Sequence, residues 1–319
     1  MPSEFALDDA ALRRARTRTV WVLSLGQILG GLAFGATISL GAVLAADISG
    51  DESLSGLATA SVTLGAAAAA VPLAALARRR GRRPSLTSGM AVALVGVVVV
   101  VLAAAGRSFP LLLVGFVLIG AGQAANLQSR FAAADLATDR SRARDLSVVV
   151  WATTIGAVLG PNLVGPGQVL GAALGMPPLT GPYLFTVVAQ LLGMALYLIA
   201  LRPDPLLLAQ RVAAARILSG AGAIARADRP TAARYAVFTI AGAHAVMVSV
   251  MAMTPVHLLH HGATVEIIGL TISLHIAGMY ALSPVFGILA DRLGRTRTVL
   301  GGQVLLAAAL LTAALGQES

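Results

Sequence analysis

Residues 76–83 read Leu-Ala-Arg-Arg-Arg-Gly-Arg-Arg, and residues 289–296 read Leu-Ala-Asp-Arg-Leu-Gly-Arg-Thr. The stretches lie 213 positions apart and agree at five of eight residues. Long uncharged runs flank both, so each is a short basic turn between two apolar segments. The same turn in two places predicts a duplicated unit, the organisation of membrane carriers built from internal repeats.

Composition points the same way. Of 319 residues, 57% are hydrophobic and 12% charged, against roughly a quarter charged in soluble domains. Aromatics are only 4%, so the apolar mass is small and aliphatic, suited to helices packed closely in lipid. The absence of cysteine excludes disulfides, thiol nucleophiles and thiolate metal ligands. Nine apolar segments are expected, near 20–45, 55–76, 85–105, 109–133, 146–165, 183–201, 235–257, 266–290 and 298–315. Each is long enough to cross about 30 Å of hydrocarbon as a helix, and none alternates with the period of a barrel strand. The first is too long for a signal-peptide core and is taken as an uncleaved helix.

All 23 basic residues are arginine. With the amino terminus in the cytoplasm and the spans alternating, 22 of them fall on the cytoplasmic side, and only Arg107 lies outside. That is the positive-inside pattern. It accounts for the net charge of +9 without a nucleic-acid partner; the lipid bilayer is the partner implied. The expected location is the cell (inner) membrane. The expected organisation is an all-α polytopic protein. Residues 1–201 form a six-helix bundle, residues 202–234 a cytoplasmic linker with an amphipathic segment, and residues 235–319 a partial second bundle of three helices. A six-span first half predicts a six-span second, so the chain reads as truncated after its ninth span.

The turn Gly287-Ile-Leu-Ala-Asp291-Arg292-Leu-Gly294-Arg295-Thr-Arg297 resembles the cytoplasmic signature of the major facilitator superfamily, Gly-x-x-x-Asp-Arg-x-Gly-Arg-Arg/Lys. In the first copy Ala74 replaces the leading Gly and Arg78 the Asp. The resemblance implies a conformational latch of Asp291, Arg292, Gly294 and Arg295, aimed at the start of the fifth span near Asp145 and Leu146. The fifth span itself, Gly156-Ala-Val-Leu-Gly160-Pro161-Asn-Leu-Val-Gly165, is similar to the Gly-x-x-x-Gly-Pro-x-x-Gly-Gly signature of the drug/proton antiporter branch, with one residue of altered spacing before Gly165. Gly156 and Gly160 share a helix face, and Pro161 removes a helical hydrogen bond. The fourth-span Arg of that branch is replaced by Phe116, so its usual proton arrangement is absent.

Polar residues in a bilayer are functional candidates. Gln123, Asn126 and Arg130 fall at i, i+3 and i+7, on one face of the fourth span. They are read either as a polar wall of a substrate cavity or as interhelical bonds with an interface Arg. His244 and His275 both fall near the midplane of adjacent spans. They are the best coupling candidates if protons drive transport, and otherwise are neutral histidines held by carbonyls. His257, His260 and His261 stand at i, i+3, i+4 with Glu266 downstream; with no other ligand nearby, no metal site is expected. Gln27, Asn162, Gln190 and Gln303 are further polar positions of unassigned facing, and Asp47 closes the outer end of the first span.

No Gly-x-Ser-x-Gly elbow or His-Glu-x-x-His occurs, so no enzyme and no cofactor are expected. What the resemblance implies is a secondary active transporter, coupled to protons and exporting small organic molecules or drugs by alternating access. A uniporter or importer of a small metabolite, or a non-transporting remnant, remain the alternatives.

Overall fold

A computed structural model describes residues 9–138, 141–218, 230–260, 262 and 265–315. Its described residues are helical, without strands. In chain order come α1 (Asp9–Ser49), α2 (Gly56–Arg80), α3 (Arg82–Ala105), α4 (Phe109–Asp135), α5 (Arg142–Asn162), α6 (Val164–Ala173) and α7 (Tyr183–Ala200). Next come α8 (Pro205–Leu218), α9 (Pro230–His260), α10 (Val265–Ala281), α11 (Ser283–Leu293) and α12 (Arg295–Leu315). Among the described residues nine helical stretches are long and apolar enough to cross a membrane. Large apolar side chains such as Val71, Ile199 and Phe238 are each more than 70% exposed, which is stable only where the surrounding medium is itself apolar.

Two spans differ from the sequence reading. The fifth apolar segment does not end in a loop: Leu163 interrupts it, and α6 continues from Val164. Gly165-Pro166-Gly167 looks like a loop, yet proline is compatible with the first turn of a helix, and Gly167 and Gly171 pack α6 against Pro182 and Gly181. The eighth segment is two helices, α10 and α11, separated at Leu282. Pro284 in the first turn of α11 explains the break, since proline lacks an N–H and disfavours helix at the residue before it.

The duplicated turns share one backbone geometry. α2 and α3 meet at Gly81, with φ +95, and α11 and α12 meet at Gly294, with φ +91. These values suit glycine, so one residue suffices to redirect the chain between helices. The chain end that carries the Arg clusters is tied by carboxylates. Arg16 of α1 pairs with Asp145 of α5, its Nη2 donating at 2.8 Å. Arg82 of α3 pairs with Asp135 of α4 at 2.8 Å. Asp204 accepts from the backbone N–H of Arg83 at 2.8 Å and of Leu206 at 3.1 Å, capping α3 and α8 together. At the opposite end Arg107 pairs with Asp47.

Helices α1 to α5 are held by small residues that let backbones touch. Gly31 of α1 faces Gly156 of α5, Gly65 of α2 faces Val117 of α4, and Gly96 of α3 faces Gly115 of α4. Large side chains fill the layers between, with Leu23, Leu86, Leu112, Phe116 and Tyr183 almost fully buried. A Cβ at Gly96 would lie 2.7 Å from the Gly115 carbonyl oxygen, whereas one at Gly106 would meet nothing closer than 3.5 Å. Gly96→Val is therefore expected to force α3 from α4 and cost about 2–3 kcal/mol. Thermal unfolding in detergent should show the melting temperature falling for Gly96→Val and holding for Gly106→Ala.

Candidate functional site

The polar face of α4 opens on a cavity. About 750 Å³ beside it is free of protein atoms, open solvent included, and about 70 Å³ can hold the centre of a water-sized group. Gln123, Asn126 and Arg130 form one wall. α7 supplies Thr186, Gln190 and Tyr197, which follow one another at helical spacing on a single face. Phe34 of α1, Met90 of α3 and Ile119 of α4 are part of its apolar lining, and among the described residues Tyr280 of α10 is the one lining residue from beyond residue 201. Glycines make room for the polar groups. A Cβ at Gly30 would lie 2.5 Å from Asn126 Nδ2, and one at Gly122 would lie 3.2 Å from Gln190 Nε2.

Two kinds of polar residue surround this space. Gln27 is fully buried and fully used. Its Nε2 donates to the Asn126 carbonyl at 2.7 Å and to the Ser129 hydroxyl, while its Oε1 accepts from Thr153 Oγ1 at 2.6 Å. That knot joins α1, α4 and α5. In contrast, Gln123 Oε1, Gln190 Oε1, Thr186 Oγ1 and Arg130 Nε are buried without a hydrogen-bond partner among the described residues. Buried polar atoms are rarely left unpaired, and four around one cavity mark it as a place where a polar occupant finds bonds ready to be made. The Arg130 guanidinium also stands 5.3 Å from the centre of the Tyr280 ring, within cation–π range.

The remaining sequence candidates lie elsewhere. α11 sits on the start of α5: Ser283 Oγ donates to the Ser147 carbonyl at 3.0 Å, and a Cβ at Gly287 would lie 2.5 Å from Ser147 Oγ. Asp291, Arg292, Gly294 and Arg295 follow on the exposed side. Asp291 makes no hydrogen bond or ion pair among the described residues, and Asp145 is engaged by Arg16. In the fifth-span motif, Gly156 touches the backbone of Ile28 to Leu32, Gly160 is buried, and Gly165 has open space around it. α5 runs through Pro161 and stops at Asn162, whose side chain donates back to the Val158 carbonyl at 2.7 Å. His244 on α9 and His275 on α10 are exposed and stand apart from the cavity lining. His261 lies outside the described residues, as do the side chains of His257, His260 and Glu266. Among the described residues no three His, Asp or Glu side chains come together as a metal-holding group.

The family model described as Major Facilitator Superfamily matches residues 23–317. The chain belongs to the major facilitator superfamily. It is 40% identical over 303 residues to the MFS-type transporter YddS of Bacillus subtilis, covering 93% of this chain and 69% of that one. It is 31% identical over 305 residues to the riboflavin transporter RfnT of Brucella anthropi, covering 92% and 72% respectively. The crystal structure of the human organic anion transporter MFSD10 superposes with a TM-score of 0.63 at 19% identity, over 87% of this chain and 72% of that one, which is a likeness of fold.

In this major facilitator protein the residues most easily missed in sequence are those of α7. Gln190 stands out as polar, but its facing needs the neighbours Thr186 and Tyr197, and neither is unusual in an apolar helix. The pairing state of the two glutamines separates their roles. Gln27→Leu strands the Thr153 hydroxyl, while Ser129 keeps its bond to the Asn126 carbonyl at 2.8 Å, and is expected to destabilise by about 1–2 kcal/mol. Gln190→Leu removes an unpaired acceptor and is expected to leave the melting temperature within about 1 °C of the parent. Differential scanning of both variants in one detergent checks the contrast.

Proposed function

We propose that the protein is a secondary active exporter of small organic molecules, driven by protons and working by alternating access. The observation that carries this reading is the cavity, walled by α1, α3, α4, α5 and α7 and touched from the other unit by Tyr280 of α10. A site between two units that rock against each other is exposed first to one side and then to the other. The seat of α11 on α5 supports a latch role for the Asp291, Arg292, Gly294 and Arg295 turn at the Arg-rich end. The close approach of Gly156 to α1 supports a packing role for the fifth-helix motif.

Among the described residues no carboxylate lines the cavity, and coupling is assigned to His244 and His275, which stand inside the apolar helices α9 and α10 but outside that lining. An imidazole titrates in the range a cellular proton gradient spans, and a protonation that differs between two conformations biases them. A second reading is uniport or import of a small metabolite; it is favoured by the 31% identity to a protein named a riboflavin transporter, which makes riboflavin the first solute to assay.

Three measurements test these points. Inside-out vesicles loaded with the protein are expected to accumulate radiolabelled solute faster with an imposed pH gradient than without. Equal rates overturn proton coupling and favour uniport. The His244→Ala/His275→Ala double variant is expected to lose the dependence on the gradient while retaining exchange; an unchanged dependence removes the histidine assignment. The amino terminus is assigned to the cytoplasm of the cell membrane. The chain has no cysteine of its own, so Arg79→Cys and Arg297→Cys are expected to react with an impermeant maleimide only after the cells are opened, and Glu52→Cys in intact cells.

A further inference from the structure

The charge state of the cavity narrows what it holds. Three other arginines that reach across the fold meet carboxylates, Arg16 facing Asp145, Arg82 facing Asp135 and Arg107 facing Asp47, and Arg18 of α1 donates to the Ala200 carbonyl of α7 at 3.1 Å. Among the described residues Arg130 has no carboxylate, and its Nε is buried without a hydrogen-bond acceptor; its guanidinium stands over the face of Tyr280. An aromatic face attracts a cation but does not neutralise it. A guanidinium stays charged at any physiological pH. The cavity therefore carries a fixed positive charge, and the described lining contains no Asp or Glu to oppose it. In a low-dielectric site that charge favours an anion and repels a cation.

The other unpaired atoms describe the rest of the occupant. Gln123 and Gln190 each present a buried amide oxygen without a donor, so they call for N–H or O–H groups away from the anionic end. Phe34, Tyr197 and Tyr280 offer aromatic surface beside them, which suits a flat ring. We propose that the cavity binds a planar organic anion, with its anionic group on Arg130 and an N–H or O–H donor directed to the amide oxygens of Gln123 or Gln190. This rests on reading the cavity as the transport site and adds the class of solute to it.

The test uses three flat probes of nearly one shape that differ in charge: 4-aminobenzoate, 4-aminobenzamide and 4-aminobenzamidine. Binding to the full chain in nanodiscs is measured by equilibrium dialysis, with Gly122→Trp as a filled-cavity control. The anion is expected to bind about ten- to a hundredfold tighter than the neutral amide, the gain of a charge-assisted contact, and the cation weakest. Arg130→Gln is expected to bring the anion down to the level of the amide. Gln123→Glu, which leaves Arg130 in place, is expected to lower anion binding and raise cation binding. If the amide binds and is lost in Gly122→Trp, but the anion holds no advantage or keeps it in Arg130→Gln, the solute class is overturned and the site stands. If no probe binds, or binding survives Gly122→Trp, the site and the solute class both fall.

Discussion

A guanidinium in hydrocarbon needs a counter-charge, a path to water, or an occupant that supplies one of them. The chain has 23 basic residues, all arginine, and that requirement shapes most of what its helices do at their ends. Clusters of Arg mark the turn at Gly81 and the turn at Gly294, where exposure lets them hydrate. Two arginines drawn between helices meet carboxylates, and each pair fixes two helices at once: α1 to α5 through Arg16 and Asp145, α3 to α4 through Arg82 and Asp135. Asp204 does the same without a cation, by accepting from backbone N–H groups at the starts of α3 and α8. Helix order at one end of the bundle is thus set by electrostatics, while its middle is set by packing.

In the middle the governing quantity is side-chain size. Hydrophobic attraction between helices is weak in lipid, so close backbone contact has to supply the association. Glycine pairs such as Gly96 with Gly115 and Gly31 with Gly156 provide it. The same residue type has a second use at the cavity. Gly30 leaves room for Asn126, and Gly122 leaves room for Gln190 as well as for the close approach of Ala93 on α3. One residue type therefore both closes the bundle and hollows it, depending on whether a backbone or a polar side chain stands opposite.

Much of the architecture is legible from the chain alone, because it rests on two signals that survive without tertiary information. Apolar length gives the spans, and the repeated turn gives the equivalence of two helix junctions, which the positive φ of Gly81 and Gly294 expresses in the backbone. Helical spacing places Gln123, Asn126 and Arg130 on one face. What spacing does not give is which face of α7 meets them, because Thr186 and Tyr197 carry no signal of their own. Nor does it give α6, where a Gly-Pro-Gly run has the composition of a loop and the backbone of a first helical turn. The division at Leu282 is encoded by Pro284, but a single proline in an apolar run is equally compatible with a kinked continuous helix.

The division at Leu282 bears on how the cavity communicates with the second unit. Tyr280, the sole described lining residue from that unit, lies two residues before it, and Ser283, bonded to the Ser147 carbonyl, lies one residue after. An occupant can shift a conformational equilibrium only through contacts that differ between the two conformations. Within the described lining, every contact to the second unit is a contact to Tyr280, and Tyr280 already faces Arg130 across 5.3 Å. A group that takes up the Arg130 charge alters the attraction that holds Tyr280 there. The consequence is felt at the end of α10, immediately before the junction from which α11 sets out along α5. Charge in the cavity and the seat of the Gly287 helix are in this way joined by three residues of chain, beside the packing of both α10 and α11 on α5.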